Sequence, residues 1–203
     1  MKKAIYLLAF IVLFLTACNI DKKRSNKNDL QSEETYKQKE GIQHHSSTEL
    51  EKRSIESTTK KTATLEKIIN SYLDLKNALV EDDAKKAAVA GKMMLSAFSS
   101  FEMLTLTEKQ RKEYLEIAED SKVHADHIMK SPIDHQREHF DVLSVNLDDL
   151  IALVGTEKHL YQIFCPMYNN GKGAIWISET EEIRNPYYGS KMLTCGKVQK
   201  EIK

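Results

Sequence analysis

The chain has 203 residues, of which 41% are hydrophobic, and its 30 lysines and arginines balance its 30 aspartates and glutamates. A chain of this length suits one domain with flanking segments. Its zero net charge, without a cluster of basic residues, argues against binding to a phosphate backbone, so we expect no nucleic-acid partner.

Residues 1–18 have the pattern of a lipoprotein signal peptide. Two lysines precede an apolar run over residues 4–15, which is shorter than the ~20 residues that span a bilayer as a helix. The tripeptide before Cys18, Leu-Thr-Ala, resembles the bacterial lipobox, in which the cysteine is acylated and becomes the mature N-terminus. The alternative is an ordinary secretory signal that leaves Cys18 free.

Acylation of Cys18 would hold the protein on a membrane outside the cytoplasm. Two or three acyl chains, such as palmitate, anchor a protein firmly, whereas one chain is marginal. We therefore expect an exported, membrane-anchored lipoprotein on the periplasmic side or the cell surface of a Gram-negative envelope. Such compartments are oxidising, so unprotected thiols there tend to form disulfides.

Residues 19–62 are polar and contain few large apolar side chains. Such a composition buries too little apolar surface to offset the conformational entropy that is lost on ordering. We predict a disordered polar tether over 19–62 and one folded domain over 63–203.

The predicted domain opens with two amphipathic helices. The first has apolar residues at helical spacing over 65–79, interrupted only by Lys76. Asp82-Asp83 precedes the second helix. Small residues at one end of its apolar stripe, among them Gly91, allow a neighbouring helix to approach closely there.

Capping residues mark two further helices. Thr107 and Gln110 match a capping box at the start of the third. Ser131-Pro132 predicts an N-cap followed by proline in the first helical position of the fourth, and Gly155 is well placed to end that helix. Short connections between amphipathic helices predict an antiparallel four-helix bundle.

The pattern changes after Gly155. Two short apolar runs, over 160–164 and 174–178, flank a turn-forming Asn-Asn-Gly sequence, which predicts a hairpin with Trp176 buried against the bundle. The predicted fold class is therefore mainly α: an antiparallel four-helix bundle with a short C-terminal β-hairpin or loop segment packed on it.

Two C-terminal segments each carry one cysteine and one methionine. Cys165 and Met167 alternate on an extended segment and so share a face, while Met192 and Cys195 have the spacing of one helical turn or tight loop. Two thiols and two thioethers form a soft ligand set, which favours copper(I) or, by the same softness, silver(I). Methionine is not a zinc ligand.

The alternative for these four residues is structural. Two cysteines of an exported domain commonly form a disulfide, here Cys165–Cys195, and methionines commonly fill gaps in a core. On the residue types alone, the disulfide is the favoured interpretation.

Four histidines lie on the third and fourth predicted helices. His135 and His139 are four residues apart, a spacing that can chelate a metal, and His124 and His127 are three apart. Of these, His139 is the best candidate ligand, because it lies one turn before Leu143 of the apolar stripe. Residue 136 is glutamine, whereas the His-Glu-x-x-His motif of zinc hydrolases has glutamate there, so a zinc hydrolase is not supported.

We expect no enzyme activity. There is no Cys-x-x-Cys redox motif, no phosphate-binding glycine loop and no nucleophile elbow. A thiol nucleophile would need a positioned base, which the sequence does not indicate.

Several strings resemble a family of bacterial domains of unknown function, DUF3347. The family is frequent in Bacteroidetes, as small exported lipoproteins and as C-terminal modules of the membrane fusion proteins of copper and silver efflux pumps. The resemblance covers roughly residues 65–198. The strings that carry it lie at 136–140, 164–167, 173–178, 183–189 and 192–196.

The resemblance implies an association with heavy-metal efflux. It places Cys165, Met167, Met192, Cys195 and His139 in the matching strings and favours the metal interpretation of them. The function that we expect is a membrane-tethered lipoprotein that binds copper(I) or silver(I) and buffers it or passes it to an efflux complex. The alternative is a structural or protein-interaction lipoprotein without a cofactor, stabilised by a Cys165–Cys195 disulfide.

Overall fold

The computed structural model describes residues 47–203. The predicted signal peptide with Cys18, and the predicted tether up to residue 46, lie outside the described residues. The described chain is mainly helical and ends in a small antiparallel sheet. Its long helices are α1 Ser47–Val80, α2 Ala84–Ser99, α3 Glu108–Lys130 and α4 Ile133–Val154.

Several helix ends lie where the capping residues predicted them. The side chain of Asp83 accepts hydrogen bonds from the backbone N–H groups of the first turn of α2. Thr107 and Gln110 form the complete capping box of α3. Gly155, at a φ of 75°, ends α4 and donates its N–H to the carbonyl of Ile151.

The start of α4 differs from the prediction. Ser131 is the C-cap of α3, and Pro132 occupies the N-cap of α4 without a side-chain hydrogen bond. The physical reason is the steric effect of proline on the residue before it. Pro132 keeps Ser131 extended, at a ψ of 157°, so that both residues form the turn between the helices.

Helix α1 begins earlier than the expected end of the tether, since residues 47–62 are helical. The side chains of residues 50–62 are mostly exposed. Local interactions support these turns: the Thr58 hydroxyl donates to the carbonyl of Ser54, and Glu56 pairs with Lys60 one turn later at 2.9 Å. The polar composition of this segment is therefore that of an exposed helix face.

The four helices pack on their neighbours along the chain, as predicted for an antiparallel bundle. Helices α2 and α3 approach closely at Gly91, where an added Cβ would lie 3.0 Å from Cγ2 of Ile128. The small end of the α2 stripe has the role that the sequence predicted.

The C-terminal sheet has three antiparallel strands in the order β2-β1-β3. Strands β1 Leu160–Cys165 and β2 Ala174–Ser178 form the predicted hairpin, joined by a helical turn Tyr168–Gly171. Strand β3 Lys197–Ile202, which the sequence did not predict, pairs with the other edge of β1. A 3₁₀ turn, Gly189–Lys191, precedes it.

A hydrogen-bonded network joins the sheet to the bundle. The backbone N–H of Ile177 in β2 donates to the Tyr72 hydroxyl of α1, which lies 2.7 Å from the Ser144 hydroxyl of α4. Trp176 is fully buried, as predicted. Within residues 47–203 no helix is long and apolar enough to cross a membrane.

Candidate metal centres

The two C-terminal cysteines lie side by side. Cys165 is the last residue of β1 and is fully buried, whereas Cys195 lies in the loop before β3 and is half-buried. Their sulfur atoms are 2.9 Å apart and not bonded to each other. The two segments therefore meet at their cysteines, and the pair opens toward solvent on the Cys195 side.

Asn185 positions the loop that carries Cys195. Its side-chain amide donates to the carbonyl of Cys195 at 2.7 Å, and its backbone N–H donates to the carbonyl of Leu193 at 2.8 Å. Because Asn185 is completely buried, water does not compete for these two bonds, and they fix the position of the loop.

The backbones of both methionines lie near the thiol pair. The backbone N–H of Met167 acts to lower the pKa of the Cys195 thiol, and the carbonyl of Met192 accepts from the N–H of Cys195 at 3.3 Å. The carbonyl of Met167 also accepts from the Tyr188 hydroxyl at 3.0 Å. The Met167 side chain is 54% exposed and Met192 is half-buried. Neither methionine side chain therefore belongs to the core.

Burial raises the pKa of the Cys195 thiol, and the neighbouring Cys165 thiol adds to the effect. The Cys195 thiol is therefore protonated at neutral pH in the absence of a cation. A metal ion that binds here would displace that proton.

Arg137 fastens the tail segment that leads to Met192. Its guanidinium donates to the carbonyl of Pro186 at 2.9 Å and to the carbonyl of Leu79 at 3.0 Å, and it pairs with Asp82 at 2.5 Å. Asp82 also accepts from the backbone N–H of Ser190. We call this set, Arg137 with Asp82, the arginine clamp.

A second cluster lies between α3 and α4, where four imidazoles meet. His139 is central: its Nδ1 lies 2.7 Å from Nδ1 of His124, and its Nε2 lies 3.0 Å from Nε2 of His135. The His127 ring stacks on the His139 ring, with centroids 4.5 Å apart. Ligand atoms of His127, His135 and His139 all lie within 4.8 Å of one another.

Carboxylates flank the histidine cluster. Glu138 lies 2.9 Å from Nδ1 of His135, and Asp120 lies 3.6 Å from Nε2 of His124. Burial, together with charge repulsion from the three other imidazoles, lowers the pKa of His139 to about 4. His139 is therefore neutral at neutral pH, the form in which an imidazole binds a metal.

The structure brings together the two cysteines with the backbones of Met167 and Met192, but it places His139 among histidines. Both ring nitrogens of His139 face His124 and His135 rather than a sulfur atom. A signal for this grouping exists in the sequence. His124 and His139 lie equally far from the Ser131-Pro132 turn, so an antiparallel helix pair that reverses there brings them opposite each other.

The family model for DUF3347, proteins of unknown function, matches residues 68–159. Residues 68–159 carry a DUF3347 domain. The match agrees with the family resemblance of the sequence, and it includes the histidine cluster and the arginine clamp. It ends before Cys165, so both cysteine segments lie outside it. Neither the curated proteins nor the solved structures contain a match to this chain.

Proposed function

We propose that the protein binds copper(I), or silver(I) by the same chemistry, at the thiol pair of Cys165 and Cys195. The observation that carries the proposal is the 2.9 Å approach of the two sulfur atoms at a half-buried position. Two thiols so close, each able to become a thiolate, supply a soft two-point site that suits a soft monovalent cation.

The methionines support this ion over zinc. The Met167 backbone N–H acts on the pKa of Cys195 and the Met192 carbonyl accepts from the N–H of Cys195, so both flexible side chains begin near the thiol pair. Thioethers add soft ligands that zinc does not use. A half-exposed position also suits an ion that is taken up and handed on.

The wider role that we propose is copper buffering or delivery to a heavy-metal efflux complex by a lipoprotein anchored through Cys18, without enzyme activity. The support is the DUF3347 domain together with the family resemblance of the tail strings. Anchoring on one membrane would raise the local concentration of the protein near a membrane partner.

Copper(I) competition titration tests the proposal. In a Cys18→Ser background, we expect tight one-to-one binding that Cys165→Ser abolishes. The double variant Met167→Leu with Met192→Leu should weaken binding by at least about tenfold, or about 1.4 kcal/mol. Met93→Leu is the matched control, because Met93 is an exposed methionine on α2, and it should leave the affinity unchanged. Unchanged affinity in the double variant would remove the methionines from the ligand set.

The same 2.9 Å sulfur approach favours a second candidate, a structural Cys165–Cys195 disulfide in a lipoprotein that binds no metal. A thiol count on protein isolated without reductant, in the Cys18→Ser background, separates the two functions. The copper proposal expects two reactive thiols, or two that become reactive when a copper chelator is added. No thiols before or after chelation would support the disulfide.

A further inference from the structure

We propose that the histidine cluster between α3 and α4 is a second metal site, separate from the thiol pair. It would take a divalent ion of the zinc or copper(II) class, with His127, His135 and His139 as ligands. This inference does not depend on the copper(I) proposal, because it rests on different residues and on a different class of ligand.

The spacing of the nitrogen atoms fits one ion. A tetrahedral ion with metal–nitrogen bonds of about 2.0–2.1 Å holds its ligand nitrogens roughly 3.3–3.4 Å apart. Nε2 of His135 and Nε2 of His139 are 3.0 Å apart, and the ligand atoms of the three residues lie within 4.8 Å of one another. Small side-chain rotations of two exposed histidines, His127 and His135, would complete the geometry.

In His135 and His139, the ring nitrogen that would face away from the metal, Nδ1, already has a neighbouring polar group of the kind that metal-binding histidines use. A ligating imidazole normally donates its other N–H to a carboxylate or another acceptor, which fixes its tautomer and orientation. Nδ1 of His135 lies 2.9 Å from Glu138. Nδ1 of His139 lies 2.7 Å from Nδ1 of His124, whose Nε2 in turn faces Asp120 at 3.6 Å. Both Nε2 atoms are thereby directed at the same point.

These outer contacts also decide the role of His124. Its Nδ1 bonds to Nδ1 of His139 rather than facing the convergence of Nε2 atoms, so His124 orients a ligand and is not itself one. The chain His139–His124–Asp120 is an extended version of the carboxylate–histidine pair found beside metal ions.

The ligand type selects the ion. Imidazole suits zinc, copper(II), nickel and iron, whereas the soft thiol pair suits copper(I). Three histidines leave the fourth coordination position of a tetrahedral ion open. Because His127 and His135 are exposed, that position faces solvent, where a water molecule or a donor from a partner can occupy it.

Zinc and cobalt(II) binding to the full-length chain tests the site. We expect one zinc ion per chain, bound more weakly by at least about 100-fold in His127→Gln and in His135→Gln. Both positions are exposed, so these variants should remain folded, which circular dichroism checks. His159→Gln is the matched control, since His159 is an exposed histidine next to a carboxylate, Glu201, outside the cluster. It should bind zinc as the parent does.

Two further readouts distinguish this site from the thiol pair. Cobalt(II) should give ligand-field absorption without a thiolate-to-cobalt charge-transfer band. Glu138→Gln should weaken zinc binding by about 10–100-fold, because it removes the carboxylate behind His135. Zinc affinity that is unchanged in the histidine variants, or a thiolate band that His135→Gln does not alter, would overturn the second site and leave the copper(I) proposal as it stands.

Discussion

At the scale of single residues, Arg137 is a buried cation whose partners come from three parts of the chain. It bonds to the end of α1 through Leu79, to the following turn through Asp82, and to the tail through Pro186. Hydrogen bonding from Ser190, followed by the Arg137 guanidinium, holds the pKa of Asp82 at about 2. A buried arginine in this position needs its carboxylate, because an uncompensated buried charge is costly.

We expect Asp82→Asn to lower the free energy of unfolding at pH 7 by about 1–3 kcal/mol, the range for a hydrogen bond to a charged group. Asparagine tolerates the positive φ of 58° at this position, so only the charge is lost. Chemical denaturation measures the change, and Asp74→Asn, an exposed carboxylate on α1, is the control that should change stability little.

The same carboxyl predicts a pH dependence. Its pKa is lower in the folded chain than the ~3.9 of an unfolded aspartate, so its contribution is complete above about pH 4 and is lost as the pH falls toward 2. Denaturation curves between pH 4 and pH 2 should therefore fall less steeply for Asp82→Asn than for the parent. Parallel curves would show that the clamp does not stabilise the fold through this charge.

At the scale of elements, the hairpin turn between β1 and β2 depends on backbone conformations that few residues adopt. Asn169 and Asn170 have positive φ values of 52° and 57°, and Gly171 and Gly173 both have 82°. Gly173 also lies against the ring of Phe164, where an added Cβ would overlap the ring, while the space beside Gly171 is open. Position 173 therefore requires glycine for space as well as for backbone conformation.

These two glycines form a matched pair of substitutions. Gly171→Ala should destabilise the fold by about 1–2 kcal/mol, the cost of a left-handed conformation alone. Gly173→Ala should add about 1–3 kcal/mol for the displaced Phe164 ring. Thermal or chemical unfolding of both variants measures the difference, and equal losses would contradict the close packing at Gly173.

Local signals in the sequence predicted most of the helices and the hairpin. Asp83, the Thr107 capping box and Gly155 act within one turn, so their effect can be read without the tertiary structure. Strand β3 could not be predicted in this way. Its sequence, KVQKEI, is largely charged and exposed, and it is a strand because it pairs with β1, a partner more than thirty residues earlier.

In the candidate sites, too, local features could be predicted from the sequence, whereas features that depend on tertiary structure could not. The residue types suggest that Cys165 and Cys195 act together. The geometry of the pair depends on the buried Asn185, and no sequence pattern indicates its bond to the Cys195 carbonyl. The histidine cluster needed the register of α3 against α4. Spacing within one helix does not contain that register, and it was the family resemblance that placed His139 with the sulfur residues.

At the scale of the whole molecule, α1 consists of two parts with different surroundings. From Leu65 onward it buries large side chains in the core, whereas the side chains of residues 50–64 are exposed or half-exposed. A helix without tertiary packing is marginal in water, because propagation alone barely offsets the cost of nucleation. One continuous helix should therefore have two levels of stability.

Hydrogen exchange on the full-length chain should show this difference. We expect backbone amides over residues 50–57 to exchange at least about 100-fold faster than those over 68–79, which open only when the core opens. Fragment-resolved mass spectrometry measures both segments in one sample, and α3, packed along its length, is the internal reference. Uniform protection along α1 would mean that its first turns have a packing partner in solution.

The exposed beginning of α1 has a consequence for distance. Residues 47–62 span about 24 Å as a helix and roughly 50 Å when fully extended. Little apolar surface holds these residues in the helix. Pulling or binding at their N-terminal end can therefore convert the helix into an extended chain at a small cost in free energy. We therefore expect the segment to act as an extensible spacer, which would let the domain adjust its reach without any change in the fold that carries the cysteines and histidines.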